Sequence, residues 1–149
     1  MIAGIDPGRW KTGFALAEGG RLLFSAIIPS DKKDVLIEAV KSGRWELLAE
    51  WRQEGSAAEL PKTAPEAVYV GSGTSSAEFR AALPFPHKAV DGYGTTLEAR
   101  EIYRRLHPPR GLMKLVRASL LTPPRNVDDL AAYAILLRGA EAVESEKSS

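Results

Sequence analysis

The 149-residue chain reads as an α/β protein. The expected sheet has five strands, an antiparallel meander of strands 1–3 plus two parallel strands, and is flanked by helices. Three observations predict this. Residues 1–28 hold three apolar runs separated by tight-turn signals. Two later short runs, 67–70 and 87–91, are each followed by a glycine-containing turn and a helical stretch, the order in which strands return parallel to the first. A long segment rich in alanine and leucine, 127 to about 143, closes the chain as a helix. One domain is expected over 1–143, with 144–149 a polar flexible tail.

Hydrophobic residues make up 44% of the chain, which excludes a disordered polyelectrolyte. The absence of cysteine excludes a disulfide scaffold and any thiolate metal site. The longest apolar run, 130–137, is too short to span a bilayer, and the first residues enter a strand without a signal-peptide core. A cytoplasmic protein with no membrane partner is expected. The net charge of +1 hides an uneven distribution. Residues 98–125 carry seven bases against Glu98 and Glu101, a local net of +5, whereas residues 31–66 carry −2. The basic stretch fits either a polyanion footprint or a solvated helix face.

The first strand, 1–5, ends in Asp6, and Pro7-Gly8 turns the chain into a second strand, 13–17. Glu18-Gly19-Gly20 is a hairpin signal and 21–28 is the third strand. Pro29-Ser30-Asp31 stops it and offers a helix cap. Residues 31–55 have a helical period, with Leu36, Val40, Leu47, Leu48 and Trp51 on one stripe and Ser42-Gly43 as a break. Residues 55–66, with Pro61 and Pro65, form a connecting loop. The strand at 67–70 leads into a Gly/Ser loop that lacks the spacing of a P-loop, then a short helix at 77–83. The strand at 87–91 leads through Gly92-Tyr93-Gly94 to a helix opened by Thr95 and Glu98 in capping-box spacing. Ala99, Ile102, Tyr103 and Leu106 form its buried stripe, and His107-Pro108-Pro109 ends it. A short amphipathic piece at 112–121 follows, and Asn126 caps the last helix. Tyr69, Leu83 and Phe85 suit either the core or a homodimer surface. Neither His87 nor His107 has a ligand partner at metal-binding spacing, so neither is assigned a role.

The acids carry the chemistry. A carboxylate at the inner end of a buried strand is costly unless a cation or backbone donors offset it. Asp6 therefore either faces a cation or accepts hydrogen bonds from its own turn. Asp91 ends a later strand in the same way. Asp128 opens the last helix on a face continued by Ala131, Ala132 and Ile135, small enough to approach a sheet closely. Asp129, beside it, is accounted for by the helix dipole. Parallel strands gather their C-terminal ends on one edge, so Asp6, Asp91 and Asp128 are expected together there. Three oxygen-only ligands suit Mg²⁺ or Mn²⁺, and hard cations beside a basic surface suit phosphodiester chemistry.

Gly4-Ile5-Asp6-Pro7-Gly8 followed by Thr12-Gly13-Phe14-Ala15 resembles the opening of the RuvC and YqgF resolvase families, members of the ribonuclease H-like superfamily. Val90-Asp91-Gly92-Tyr93-Gly94-Thr95-Thr96 resembles a YqgF segment that runs Asp-Glu-Arg, one variable residue, Thr-Thr. Val127-Asp128-Asp129-Leu130-Ala131-Ala132 resembles the last-helix motif of both. The likeness spans 1 to about 138. It implies a ribonuclease H-like fold and a metal-dependent endonuclease, resolving DNA junctions or processing structured RNA. It further implies Asp6, Asp91 and Asp128 as catalytic and metal-binding residues. Lys11, Arg104, Arg105, Arg110, Lys114 and Arg117 are the candidate nucleic-acid contacts, and RuvC relatives act as dimers. The chain departs from the pattern at Gly92 and Tyr93, at the fourth strand end (Val70-Gly71-Ser72, where RuvC proteins carry Glu) and at Arg125, where they carry an acid. A nucleic-acid-binding protein of the same fold that has lost the reaction is the alternative. A nucleotide-binding relative of actin and the sugar kinases would need two such domains, more than this length holds.

Overall fold

The structure is a computed structural model and describes residues 1–73, 76–111 and 123–148. Strands β1 (Ile2–Asp6), β2 (Lys11–Glu18) and β3 (Arg21–Pro29) form the expected antiparallel meander. A further strand, β4 (Arg52–Gly55), pairs antiparallel with the outer edge of β3. On the other side β5 (Ala67–Gly71) runs parallel to β1, and β6 (Lys88–Val90) runs parallel to β5. The mixed sheet therefore has six strands, in the order β4-β3-β2-β1-β5-β6, rather than the five expected.

The extra strand corrects the reading of 31–55 as helix. Only α1 (Lys33–Ser42) is α-helical there. Gly43 ends it in the left-handed region (φ 74°), where its N–H reaches the Ala39 carbonyl at 2.8 Å. A 3-10 segment, Trp45–Trp51, follows and runs directly into β4. The Arg-Gln-Glu-Gly sequence of β4 has no apolar alternation, so nothing local marks it as a strand. Its partners come from elsewhere in the chain.

Alternating side chains give the sheet two faces. Ala3, Ile5, Phe14, Leu16, Phe24, Val68 and Val70 meet α1 and the 3-10 segment through Leu36, Val40, Trp45 and Leu48. Trp45 is buried, stacks on Phe14 with ring centres 5.8 Å apart, and donates its indole N–H to the Pro61 carbonyl at 3.0 Å. Phe79 of α2 (Ser76–Ala81) joins the same core. Tyr69 belongs to the opposite core, and Leu83 and Phe85 pack at the edge of the first.

The opposite face, with Ala15, Ala17 and Tyr69, packs on α4 (Asp128–Ser148) through Ala132, Ile135 and Leu136. This contact is backbone on backbone. A methyl group added at Gly4 would stand 2.2 Å from the Ala132 carbonyl oxygen, and one at Gly13 would stand 1.9 Å from that of Asp128. Helix α3 (Thr95–Leu106) forms a third layer, packing Ala99 and Ile102 on Leu130, Ala131 and Ala134 of α4. Its capping box does not form. The Thr95 hydroxyl donates to the Gly92 carbonyl at 2.8 Å, and Glu98 pairs with Arg138 of α4 instead. Helix α4 continues to Ser148 and so includes residues 144–148. Among the described residues, no helix is long and apolar enough to cross a membrane.

Candidate functional site

The site is set by where α4 begins. In the β1–β2 register Asp6 lies opposite Gly13, and Gly13 is the residue on which the Asp128 backbone rests. Ile5 points into the α1 core, so alternation turns Asp6 to the α4 side. The missing side chain of Gly13 thus brings the end of one strand and the start of one helix together. Asp6 and Asp128 line a single cleft of 790 Å³. Its other walls include Lys11 of β2, Gln53 of β4, Thr96 and Arg100 of α3, and residues 123–127 leading into α4.

This placement disfavours the ionisation of Asp6. Burial first, and the negative charge of Asp128 second, push the Asp6 carboxyl up from 3.8 to about 6. Covalent geometry and helix packing hold the pair together; its electrostatics oppose it. A divalent cation would reverse that balance. The donors are all oxygen and two in number, which suits Mg²⁺ or Mn²⁺, ions that commonly take one or two carboxylates and complete their shell with water or phosphate.

Asp91 stands apart. It is exposed beyond the end of β6 and does not line the cleft. Its carboxylate accepts the Tyr93 N–H at 3.0 Å, an Asx turn, and its carbonyl accepts Arg138 at 2.8 Å. Among the described residues no three His, Cys, Asp or Glu side chains converge in a way that would hold a metal. The structure therefore unites two of the three expected acids. Asp91 ends a strand one position further from β1 than β5 does.

Of the expected nucleic-acid contacts, Lys11 lines the cleft. Arg104 pairs with Glu101 on its own helix, and Arg105 and Arg110 are exposed. Lys114 and Arg117, with the amphipathic piece at 112–121, lie outside the described residues. Arg100, counted in the basic stretch but not singled out, reaches the cleft wall.

A second group behind the pair was missed. Asp129 is fully buried, not a surface acid answering only to the helix dipole. Its carboxylate accepts the Ser25 hydroxyl at 2.6 Å and Arg125 at 2.8 and 3.3 Å. Arg125 also donates to Glu54 of β4 at 2.8 Å and lies over the Tyr103 ring. His107, given no role from sequence, contacts Glu54 at 3.0 Å. Burial would raise the Glu54 carboxyl, but hydrogen bonds from His107 and Arg125 outweigh it and hold the group below its ordinary value. This network ties β3, β4, the end of α3 and the first turn of α4 together, which fixes where Asp128 stands. The spacing of Arg125 to Asp129, four residues apart at a helix start, was the one legible trace of it.

No protein-family model matches the chain, and no curated protein matches it in sequence.

Proposed function

We propose that this chain is a metal-dependent endonuclease with a ribonuclease H-like fold, acting on structured nucleic acid, either a DNA junction or a folded RNA. The observation that carries the reading is the meeting of Asp6 and Asp128 in a cleft walled by Lys11 and Arg100. The strand order supports it as well: an antiparallel meander, two parallel strands beside β1, and a last helix that brings an aspartate to the end of β1. In this reading Asp6 and Asp128 would hold Mg²⁺ or Mn²⁺, whose Lewis acidity would serve to activate water and offset charge on the phosphodiester. Lys11 and Arg100 attract the phosphate backbone and orient it across the cleft. Arg125, committed to Asp129 and Glu54, positions the start of α4 rather than binding substrate. Asp6 meets its cation more readily above pH 6, where it gives up its proton. The test is cleavage of a labelled four-way DNA junction and a hairpin RNA with Mg²⁺ or Mn²⁺. Wild type should cut at least one, and both Asp6→Asn and Asp128→Asn should abolish cutting. Undiminished turnover by Asp6→Asn would refute the reading.

One observation favours a second reading. A side chain at position 71 would begin 3.5 Å from the Asp6 carboxylate, and that residue is glycine. The β5 end facing Asp6 carries no acid. A nucleic-acid-binding protein of the same fold would follow, identified by salt-sensitive binding and no metal-dependent cleavage in wild type.

A further inference from the structure

Trp10 is 74% exposed, whereas Trp45 is 1% exposed and Trp51 is half-buried. A large aromatic side chain left in water is suited to a ligand when its backbone is tethered, as it is here by hydrogen bonds to Ser30. Ser30 clips the β1–β2 turn: its N–H donates to the Trp10 carbonyl at 2.9 Å and its hydroxyl to the Gly8 carbonyl at 2.8 Å. The Thr12 hydroxyl lies 3.0 Å from that of Ser30. The turn is tight enough that a methyl at Gly8 would meet the Lys11 carbonyl at 2.4 Å. The Arg9 guanidinium lies 5.1 Å from the Trp10 ring centre and steadies the ring by a cation–π contact. The next residue, Lys11, lines the cleft with Asp6.

We infer that Trp10 is a stacking platform for an unpaired nucleobase, carried on the β1–β2 turn one residue before Lys11 of the acidic cleft. The inference rests on the nucleic-acid reading above and narrows its substrate to one that is single-stranded where it passes the β1–β2 turn. An exposed aromatic ring with the Arg9 guanidinium against it, followed in the chain by Lys11 of the cleft, matches a nucleotide, which presents a π surface and a phosphate a few ångströms apart. A base inside a duplex already stacks on its neighbours and cannot offer that surface. A protein partner would need a broader apolar area than one ring set between Arg9 and Lys11.

The test is a titration in EDTA, so that no turnover intervenes, with end-labelled short oligoadenylates (ribo and deoxy) and a fully paired hairpin of similar length; label anisotropy reads the affinity of wild type and every variant, and tryptophan fluorescence reads the quench. Wild type should be quenched by the single strands and little by the hairpin. Trp10→Phe should keep most of the affinity and lose the quench. Trp10→Ala should lose about tenfold or more in single-strand affinity, the scale of one base–aromatic stack. The exposed position leaves the core intact, and circular dichroism of each variant checks this. Single-strand affinity unchanged in Trp10→Ala, or equal quenching by the hairpin, overturns the proposal. A quench without metal-dependent cleavage by wild type would leave the platform standing and remove the nuclease reading, and cleavage without a quench would do the reverse.

Discussion

Replacing Asp6 with Asn removes a charge that the fold holds against its own preference. The carboxyl is raised from 3.8 to about 6. Two pH units correspond to about 3 kcal/mol against ionisation in the folded chain, which is an upper value for the gain. The direction follows from proton counting. Below pH 3.8 both folded and unfolded chains keep the proton and Asp6 contributes nothing. Between 3.8 and about 6 the unfolded chain gives it up first, so stability falls as pH rises. Above about 6 the full cost is present. Asp6→Asn should therefore be more stable than wild type at pH 8 by about 1–3 kcal/mol, and the difference should shrink towards zero by pH 4. Urea unfolding in EDTA at several pH values measures it. With Mn²⁺ at about a hundredfold excess over its Kd the wild type should gain about 2.7 kcal/mol and the variant nothing. A difference between the two proteins that does not vary with pH would refute the reasoning, because it would mean that Asp6 ionises freely in the fold.

Arg125→Met should destabilise the chain by about 3–5 kcal/mol, because it strands the fully buried Asp129 carboxylate. Combining it with Asp129→Asn should recover part of that loss, and chemical denaturation of the single and double variants measures the coupling. Gly13→Ala should cost about 1–3 kcal/mol by forcing α4 off the sheet, and should weaken Mn²⁺ binding by moving Asp128 from Asp6. Thermal unfolding and a metal titration read the two effects separately.

The sequence made the meander, the two parallel strands and the last helix legible because each is marked locally. Pro7-Gly8 and Gly19-Gly20 punctuate the strands, and Ala131, Ala132 and Ile135 repeat at helical spacing. Asp6 and Asp128 were legible for the same reason, as charges out of place at the ends of apolar elements. The polar strand β4 was not, since its pairing comes from β3 and its anchoring from Arg125 and His107. Asp129 was misread because its partners, Ser25 and Arg125, reach it from a distant strand and from the loop before the helix. Periodicity says which face of a helix is buried, but not which of two adjacent aspartates lies beneath it. Asp91 looked like Asp6 in sequence, yet its strand lies beyond β5 and its carboxylate closes its own turn.

Calorimetric titration of Mn²⁺ into wild type, Asp6→Asn, Asp128→Asn and Asp91→Asn comes closest to the heart of the matter. A cleft built on two carboxylates predicts binding by wild type, its loss in both cleft variants, and affinity close to wild type in Asp91→Asn. Binding that survives in Asp6→Asn and Asp128→Asn would contradict it, since the two residues that the fold brings together would then not be the ones that hold the ion.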